Sequence, residues 1–485
     1  MRTLVWFRGK DLRISDHAPL AEAARAGEVV PLFVLDPSFF AKERAAELPR
    51  RIQFLLDGLG ELAENIAGAG SRLVVVRGRS IEVVPQLARK WSCDRVVAHR
   101  WSEPFARTRD RLVAEGLGDI PFILHEGETL APAGSLRTGG GTPFAVYTPF
   151  ARAFRKEIAV APTLRAVSKL PALPADVKEP GVAIPTMEDL GLVRDEAILR
   201  GGERAAHARL SAFLRDRIEG FTEARDRMDR KDGTSRLSAD LKFGTLSVRA
   251  VWNRVTPLIE EPRTRKDAEK FLSEIIWREF AHATLWDRPQ VLKHPFRREF
   301  DGFPWQQSER GWQAWVLGTT GYPVVDAASR QLLKEGFVHN RARMISASFL
   351  TKDLLIDFRR GEAHYMRWLT DGDWAQNDMG WQWSAGCGVD AQPYFRIFHP
   401  VTQGQRFDPE GDYVRRWVPE LASLPSKWIH SPWEAPPLEL AAAGIRIGKT
   451  YPAPIVDHKE ARVRFLAIAK SHLADARAIR GGSDG

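Results

Sequence analysis

Two cysteines, Cys93 and Cys387, in 485 residues are too few for a disulfide framework. They also cannot supply the four thiolates of an iron–sulfur cluster or a structural zinc site, and no metal is expected. Such sparing use of cysteine fits a reducing, cytoplasmic compartment. No apolar run approaches the length of a membrane span. Met1 to Arg13 reads as a strand entering a charged loop, without the apolar core of a signal peptide. The dinucleotide fingerprint G-x-G-x-x-G does not occur, so NAD-dependent chemistry has no support.

Tryptophan and positive charge are plentiful instead. There are 71 basic against 62 acidic side chains, a formal charge of +9. That excess suits a polyanionic partner, nucleic acid or an anionic membrane surface, with plain solubility as the alternative. The 16 tryptophans fit stacking on flat ligands better than solubility, because an indole needs a broad apolar contact and a partner for its N–H. Three of them fall in DGDWAQNDMGWQW, Asp371 to Trp383, beside three Asp and one Asn.

The length allows about two to four domains. Over residues 1–130, β-branched runs alternate with helical segments. Strands are predicted at Thr3–Phe7, Val29–Leu35, Arg72–Val76, Arg95–His99 and Pro121–Leu124. HAPLAEAARAG, closed by Gly27, and RIQFLLDGLGELAENI read as helices between them. This order implies an α/β domain with a doubly wound parallel sheet. Residues 131–205 read as a linker, with the Pro-rich stretch Leu170–Pro185 extended. Residues 206–472 read as all-α, and 473–485 as a short frayed tail.

Four segments carry candidate chemistry. DGTSRLS, Asp232 to Ser238, sets hydroxyls and backbone N–H groups before a helix, which suits an anion such as a diphosphate; a capped turn is the alternative. In FLSEIIWREF, Glu274, Trp277 and Arg278 are spaced i, i+3, i+4 and share a helix face. HNRARM opens a further helix on which Asn340 and Met344 share a face, with Arg341 and Arg343 turned elsewhere. PYFRIFHPVTQGQRFDPEG, Pro393 to Gly411, mixes aromatics with Arg396 and Gln403 in a loop that suits a nucleic-acid backbone, a packing loop being the alternative.

These segments resemble the photolyase/cryptochrome family, and most of all the bacterial class I cyclobutane pyrimidine dimer photolyases. GTSRLS, IWREF, GYPVVDAASRQL, HNRARM, ASFLTKDLLID, DGDWAQN, WQW and PYFRIF follow the family's order, from VWFRGKDLRISDH to PIVDHKEAR. The resemblance implies an N-terminal Rossmann-like antenna domain and a C-terminal helical domain holding FAD. Thr234, Ser235, Arg236, Leu237 and Ser238 are then expected at the diphosphate, with Phe221 and Arg278 also at the cofactor. Asp371, Gly372 and Asp373 are expected at the ribityl–isoalloxazine side, Arg343 paired with Asp371, and Asn377 facing the flavin N5. Asn377 in place of the Asp of plant-type cryptochromes favours a repair enzyme working with the anionic hydroquinone.

On the substrate side, the resemblance gives Glu274 a hydrogen bond to the dimer. It sets Trp277 and Trp383 to stack on the flipped pyrimidines and lines the pocket with Asn340 and Met344. Both of those positions are His in (6-4) photolyases, so (6-4) chemistry is disfavoured. Arg225, Arg341, Arg396 and Gln403 are expected on the damaged strand of UV-damaged DNA, single- or double-stranded. The implied reaction is light-driven electron transfer to a cyclobutane dimer, carried out by a monomer.

Three departures stand out. In the family's electron-transfer triad, Trp381 matches the inner member and Trp305 the outer, but the middle position is Phe358, which is much harder to oxidise. A bypass through Trp374, Trp368 or Tyr365 is expected. At the antenna site, Phe105 and Ala106 replace the Asn-Glu pair of folate-binding members, so a deazaflavin or flavin is expected rather than folate. Phe221 replaces a frequent Tyr, at a cost of about 1 kcal/mol for one hydrogen bond. The competing reading is a cryptochrome-like blue-light photoreceptor; a flavin oxidoreductase is disfavoured by the missing NAD fingerprint.

Overall fold

A short first strand, two-thirds of it apolar, sits at the centre of the N-terminal sheet. The computed structural model describes residues 1–481, with side chains through Ala476. Five strands, β1 (Arg2–Phe7), β2 (Glu28–Leu35), β3 (Val74–Arg77), β4 (Arg95–His99) and β5 (Phe122–His125), pair in parallel in the order β3-β2-β1-β4-β5. Successive side chains of a strand point to opposite faces. Leu4 and Trp6 accordingly enter one buried cluster, with Val84 and Val113 of the helices Ser80–Lys90 and Pro104–Leu117. Val5 and Phe7 enter another, with Phe54 and Leu59 of the helix Pro49–Gly68. The predicted sheet is present; β4 has the expected ends, and the other strand ends differ from expectation by at most two residues. The helix Ala18–Ala26 starts on a His17 cap and stops at Gly27, whose φ of 141° a side chain would resist.

By compactness the described chain forms two units. The first comprises Met1–Gly220, Ser235–Pro289 and Thr370–Ala375, and the second Phe221–Thr234, Gln290–Leu369 and Gln376–Gly485. This partition cuts the chain differently from the boundaries at 130 and 205. Helices of the expected all-α region belong with the sheet, for packing reasons: Phe243 stacks on Phe54 at 5.1 Å, and Glu203 accepts from the Ile14 and Ser15 N–H groups at 2.9 Å.

Three sequence expectations need correction. The linker contains a helix, Tyr147–Glu157, whose apolar side is short and was masked by the surrounding Gly and Pro. The loop Pro393–Gly411 contains the helix Pro400–Phe407, capped by His399 with Pro400 in its first turn, so Gln403 is helical. The terminal helix His458–Gly481 runs through most of the expected tail; residues 482–485 lie outside the described residues. Among the described residues, no strand follows β5 beyond one bridge, Ile447 to Tyr451. No described helix is long and apolar enough to cross a membrane.

Candidate active site

In the first unit the helix Arg265–Asp287 presents a half-buried indole. Trp277 stacks on Tyr147 with ring centroids 3.7 Å apart and planes 5° from parallel. The Tyr147 hydroxyl is anchored 2.9 Å from the Ser273 carbonyl. Glu274, just under one turn before Trp277, pairs with Lys270 at 3.1 Å and stays partly exposed. Arg278 departs from the shared face expected for it. It is 5% exposed and donates to the Glu128 carbonyl at 2.6 Å, while its buried Nε finds no acceptor.

A buried charge network holds the segment Thr370–Ala375 in this unit. The Lys10 ammonium lies 2.9 Å from Glu103 and 3.4 Å from Asp373, and it also pairs with Glu128. Lys242 reaches Glu103 at 3.2 Å and Asp373 at 3.5 Å. Burial opposes charge on the acids, but cations led by Lys10 overcome it. Asp373 is held well below the usual carboxylate range and Glu128 at about 2. Asp373 thus spends its carboxylate on lysines and fixes the position of Asp371 and Gly372. Sequence reasoning missed Tyr147, Lys10, Glu103 and Glu128, since each gains its role only from a distant partner.

The turn before the helix Ser238–Phe243 places Arg236 at φ 58°, an uncommon left-handed residue, with Leu237 buried and Ser238 exposed. Such a turn brings successive N–H groups to one side and makes an anion-binding concavity. Elsewhere in this unit, a pocket at the carboxyl ends of the strands is lined by Phe39, Phe40, Phe105 and Trp374, with Arg44 and Arg51. Phe105 is 54% exposed at its rim.

Two buried groups of carboxylates and imidazoles bring ligand atoms close enough to suggest a metal, Asp11 with His17 and His99, and Glu128 with His282 and Asp373. Both are spoken for. His17 Nδ1 accepts the Leu20 N–H, which leaves Nε2 to carry the proton of a neutral ring. Glu128 and Asp373 already bind Lys10.

In the second unit His339 caps the helix Asn340–Ser348, and the Asn340 amide lies 3.8 Å from the Met344 sulfur, so the expected shared face exists. Arg341 turns away to Asp226 at 2.9 Å and lies 4.3 Å over the Phe407 ring. Arg343 donates to the Val338 carbonyl at 2.8 Å, and the Arg225 guanidinium lies 6.0 Å from the ring of buried Phe221. Arg396 is exposed; the buried ammonium of Lys352, pushed down to about 7 by burial, holds its carbonyl at 2.8 Å. Gln403 is half-buried on its helix.

The helix Trp374–Ala385 carries Asn377, Trp381 and Trp383. Asn377 is 9% exposed and donates from Nδ2 to the Glu362 carbonyl at 3.1 Å. That bond fixes the amide orientation and leaves Oδ1 as its acceptor end. Burial pushes Asp378 up to about 7, and burial with Asp378 nearby pushes Glu362 well above the carboxylate range. Trp383 is half-buried and Trp381 is buried. A Cβ on Gly361 would lie 2.3 Å from the Trp381 ring, so only glycine allows the helix Phe358–Trp368 to approach it. Phe358 is buried, with its ring 6.4 Å from that of Trp305.

Comparison with known proteins agrees with this arrangement. Residues 3–174 match the DNA photolyase family model, and residues 271–471 match the FAD binding domain of DNA photolyase. The deoxyribodipyrimidine photo-lyase of Agrobacterium fabrum is 39% identical over 482 residues, covering 96% of each chain. Among solved structures, a bacterial class III photolyase from Agrobacterium tumefaciens superposes with a TM-score of 0.90 at 36% identity, covering 97% of both chains. A Synechocystis cryptochrome does so with a TM-score of 0.89 at 31% identity, covering 96% of this chain and 99% of that one. The chain belongs to the photolyase/cryptochrome family. A class III photolyase and a cryptochrome both superpose closely, so the similarity fixes the family and not the class within it.

Proposed function

We propose that this chain is a light-dependent DNA photolyase that splits cyclobutane pyrimidine dimers with reduced FAD. The observation that carries the reading is the Tyr147–Trp277 stack with Glu274 beside it on the same helix. A flat face held by a second ring suits an everted base, and burying it there offsets part of the unstacking cost.

The residues fit the cofactor. The left-handed turn at Arg236, with Thr234, Ser235, Leu237 and Ser238, suits a diphosphate, and the acceptor-less Nε of buried Arg278 suits an anionic neighbour. Asp371, Gly372 and Asp373 serve the ribityl and ring side, with Arg343 and Phe221 also at the cofactor. When bound, the light-excited reduced flavin supplies the electron for dimer splitting and takes it back. Everything else falls to the side chains. Oδ1 of Asn377 offers an acceptor for a flavin N–H. Glu274 bonds the dimer carbonyl and Trp277 and Trp383 hold its rings. Asn340 and Met344 line the pocket without titrating, which separates this site from acid–base chemistry. Arg225, Arg341, Arg396 and Gln403 grip phosphates. The aromatic, Arg-rimmed pocket of the first unit suits a deazaflavin or flavin antenna rather than folate.

The test is illumination of a dimer-containing oligonucleotide with blue light in the presence of flavin-loaded, reduced protein. Loss of the lesion is expected, slowed in Glu274→Ala while flavin content stays constant. Intact lesions under the lamp would favour the second reading, a blue-light photoreceptor, which the Synechocystis neighbour keeps in play.

A further inference from the structure

Resting on that reading of the flavin site, we infer that electrons reach the flavin through Trp381, Trp315 and Trp312, a route that leaves out Phe358 and Trp305. Trp315 is fully buried, and its ring lies 5.9 Å from that of Trp381 at 71°. Trp312, half-buried, stacks on Trp315 at 5.4 Å and 27°. Three oxidisable rings therefore run from the buried Trp381 to the surface through contacts tighter than the 6.4 Å between Phe358 and Trp305.

The surroundings assign each ring a task. The Trp315 N–H donates to the Ser346 carbonyl at 3.2 Å. A backbone carbonyl is no base, so an oxidised Trp315 keeps its proton and passes the positive charge on. His364 stands edge-on to both outer indoles, at 5.5 Å and 5.7 Å, and burial holds its pKa at about 4. It is neutral at physiological pH and does not repel a charge moving between them. At the outer end the Arg360 guanidinium lies 4.2 Å from the Trp312 ring. Arg360 is itself paired with Glu309 at 2.6 Å, so what sets Trp312 apart is its access to water, to which an oxidised Trp312 sheds its proton and persists as a neutral radical.

Other bypasses fare worse. Tyr365 touches Trp381 at 5.1 Å, but its buried hydroxyl has no hydrogen-bond partner among the described residues to take the proton, and a phenol that keeps its proton is a poor electron donor. Trp374 is 38% exposed and lines the pocket of the first unit. The balance is simple. Trp381 gives one electron to the photo-excited oxidised flavin, regains one from Trp315, and Trp315 regains one from Trp312. Trp312 releases a proton to water, and an external thiol restores it by hydrogen-atom donation.

Flash photolysis of the full chain with oxidised FAD tests the route. Trp312→Phe is expected to remove the long-lived tryptophan-radical absorbance and slow photoreduction in thiol by an order of magnitude. Adding Phe358→Trp to that variant is expected to restore both by reopening the way to Trp305. A Trp312→Phe protein that keeps the wild-type radical, or a Trp305→Phe protein that loses it, would overturn the route alone, provided flavin absorbance is retained. Wild-type protein that takes up no flavin would overturn the functional reading and the route with it.

Discussion

Lys10→Met removes one charge from the network that fixes the segment Thr370–Ala375. Methionine roughly matches the lysine stem, so the change deletes charge more than packing. It leaves Glu103, Glu128 and Asp373, all 8% exposed or less, without the ammonium that touches all three. Breaking a buried ion pair from one side costs about 3–5 kcal/mol, because the remaining charge stays desolvated. The pH dependence gives the test its edge. In the wild type these acids titrate low, Glu128 at about 2, below the unfolded values near 4 to 4.5. Their contribution is therefore complete above the unfolded values and is lost as pH falls through the folded ones. Without Lys10, burial dominates and pushes the same carboxyls upward, so the variant takes up protons on folding and gains stability as pH falls. The deficit is largest at neutral pH and shrinks steadily on acidification.

Hydrogen exchange of β1 and β4 reports this unit by itself, which matters in a chain whose two units need not unfold together. Flavin affinity is expected to fall as well, since Asp373 holds Asp371 and Gly372 in place. A neutral-pH deficit below about 1 kcal/mol, or one that stays constant down to about pH 4, would refute the reasoning.

Trp277→Ala is expected to weaken binding of a dimer-containing oligonucleotide by about 1–3 kcal/mol while leaving undamaged duplex unchanged, read by fluorescence anisotropy; equal loss on both would remove Trp277 from lesion recognition. Arg396→Ala is expected to weaken binding across all sequences and to lower the slope of log affinity against log salt by about 0.9 on duplex DNA, and an unchanged slope would place Arg396 off the phosphates. Asp378 sits at about 7 and Glu362 is pushed well above the carboxylate range, both above their unfolded values, so this pair makes the wild type lose stability as pH rises from about 4 through 7. Asp378→Asn keeps an acceptor for Gln382, 2.9 Å away, and is expected to flatten that loss in urea titrations at several pH values.

Local patterning made the sheet legible. β2 and β4 are β-branched runs flanked by turn residues, and both faces of a parallel strand are apolar, so the signal does not depend on distant partners. The Asn340–Met344 face was legible for a related reason, since helical spacing alone decides it. The neighbours of Trp277 were not. Tyr147 lies 130 positions earlier, in a stretch whose Gly and Pro content reads as linker, and nothing local marks it as a stacking partner. For Arg278 the spacing from Glu274 was legible but its burial was not, because the Glu128 carbonyl it donates to lies 150 positions away.

The acids around Lys10 and those around Asn377 follow different rules, and the proposed chemistry gives a reason. Lys10 and Lys242 keep Glu103, Glu128 and Asp373 ionised, so these buried carboxylates have partners and the segment carrying Asp371 is held in place. Around Asn377 the acids Glu362 and Asp378 have burial as the leading influence, and both are pushed toward the neutral form. A reduced flavin that carries negative charge needs that second environment. Ionised carboxylates beside Asn377 would oppose the charge, and pushing them toward the neutral form weakens that opposition. A positive charge formed on buried Trp381 lacks the solvation open to half-buried Trp312, which favours its passage outward along the proposed route.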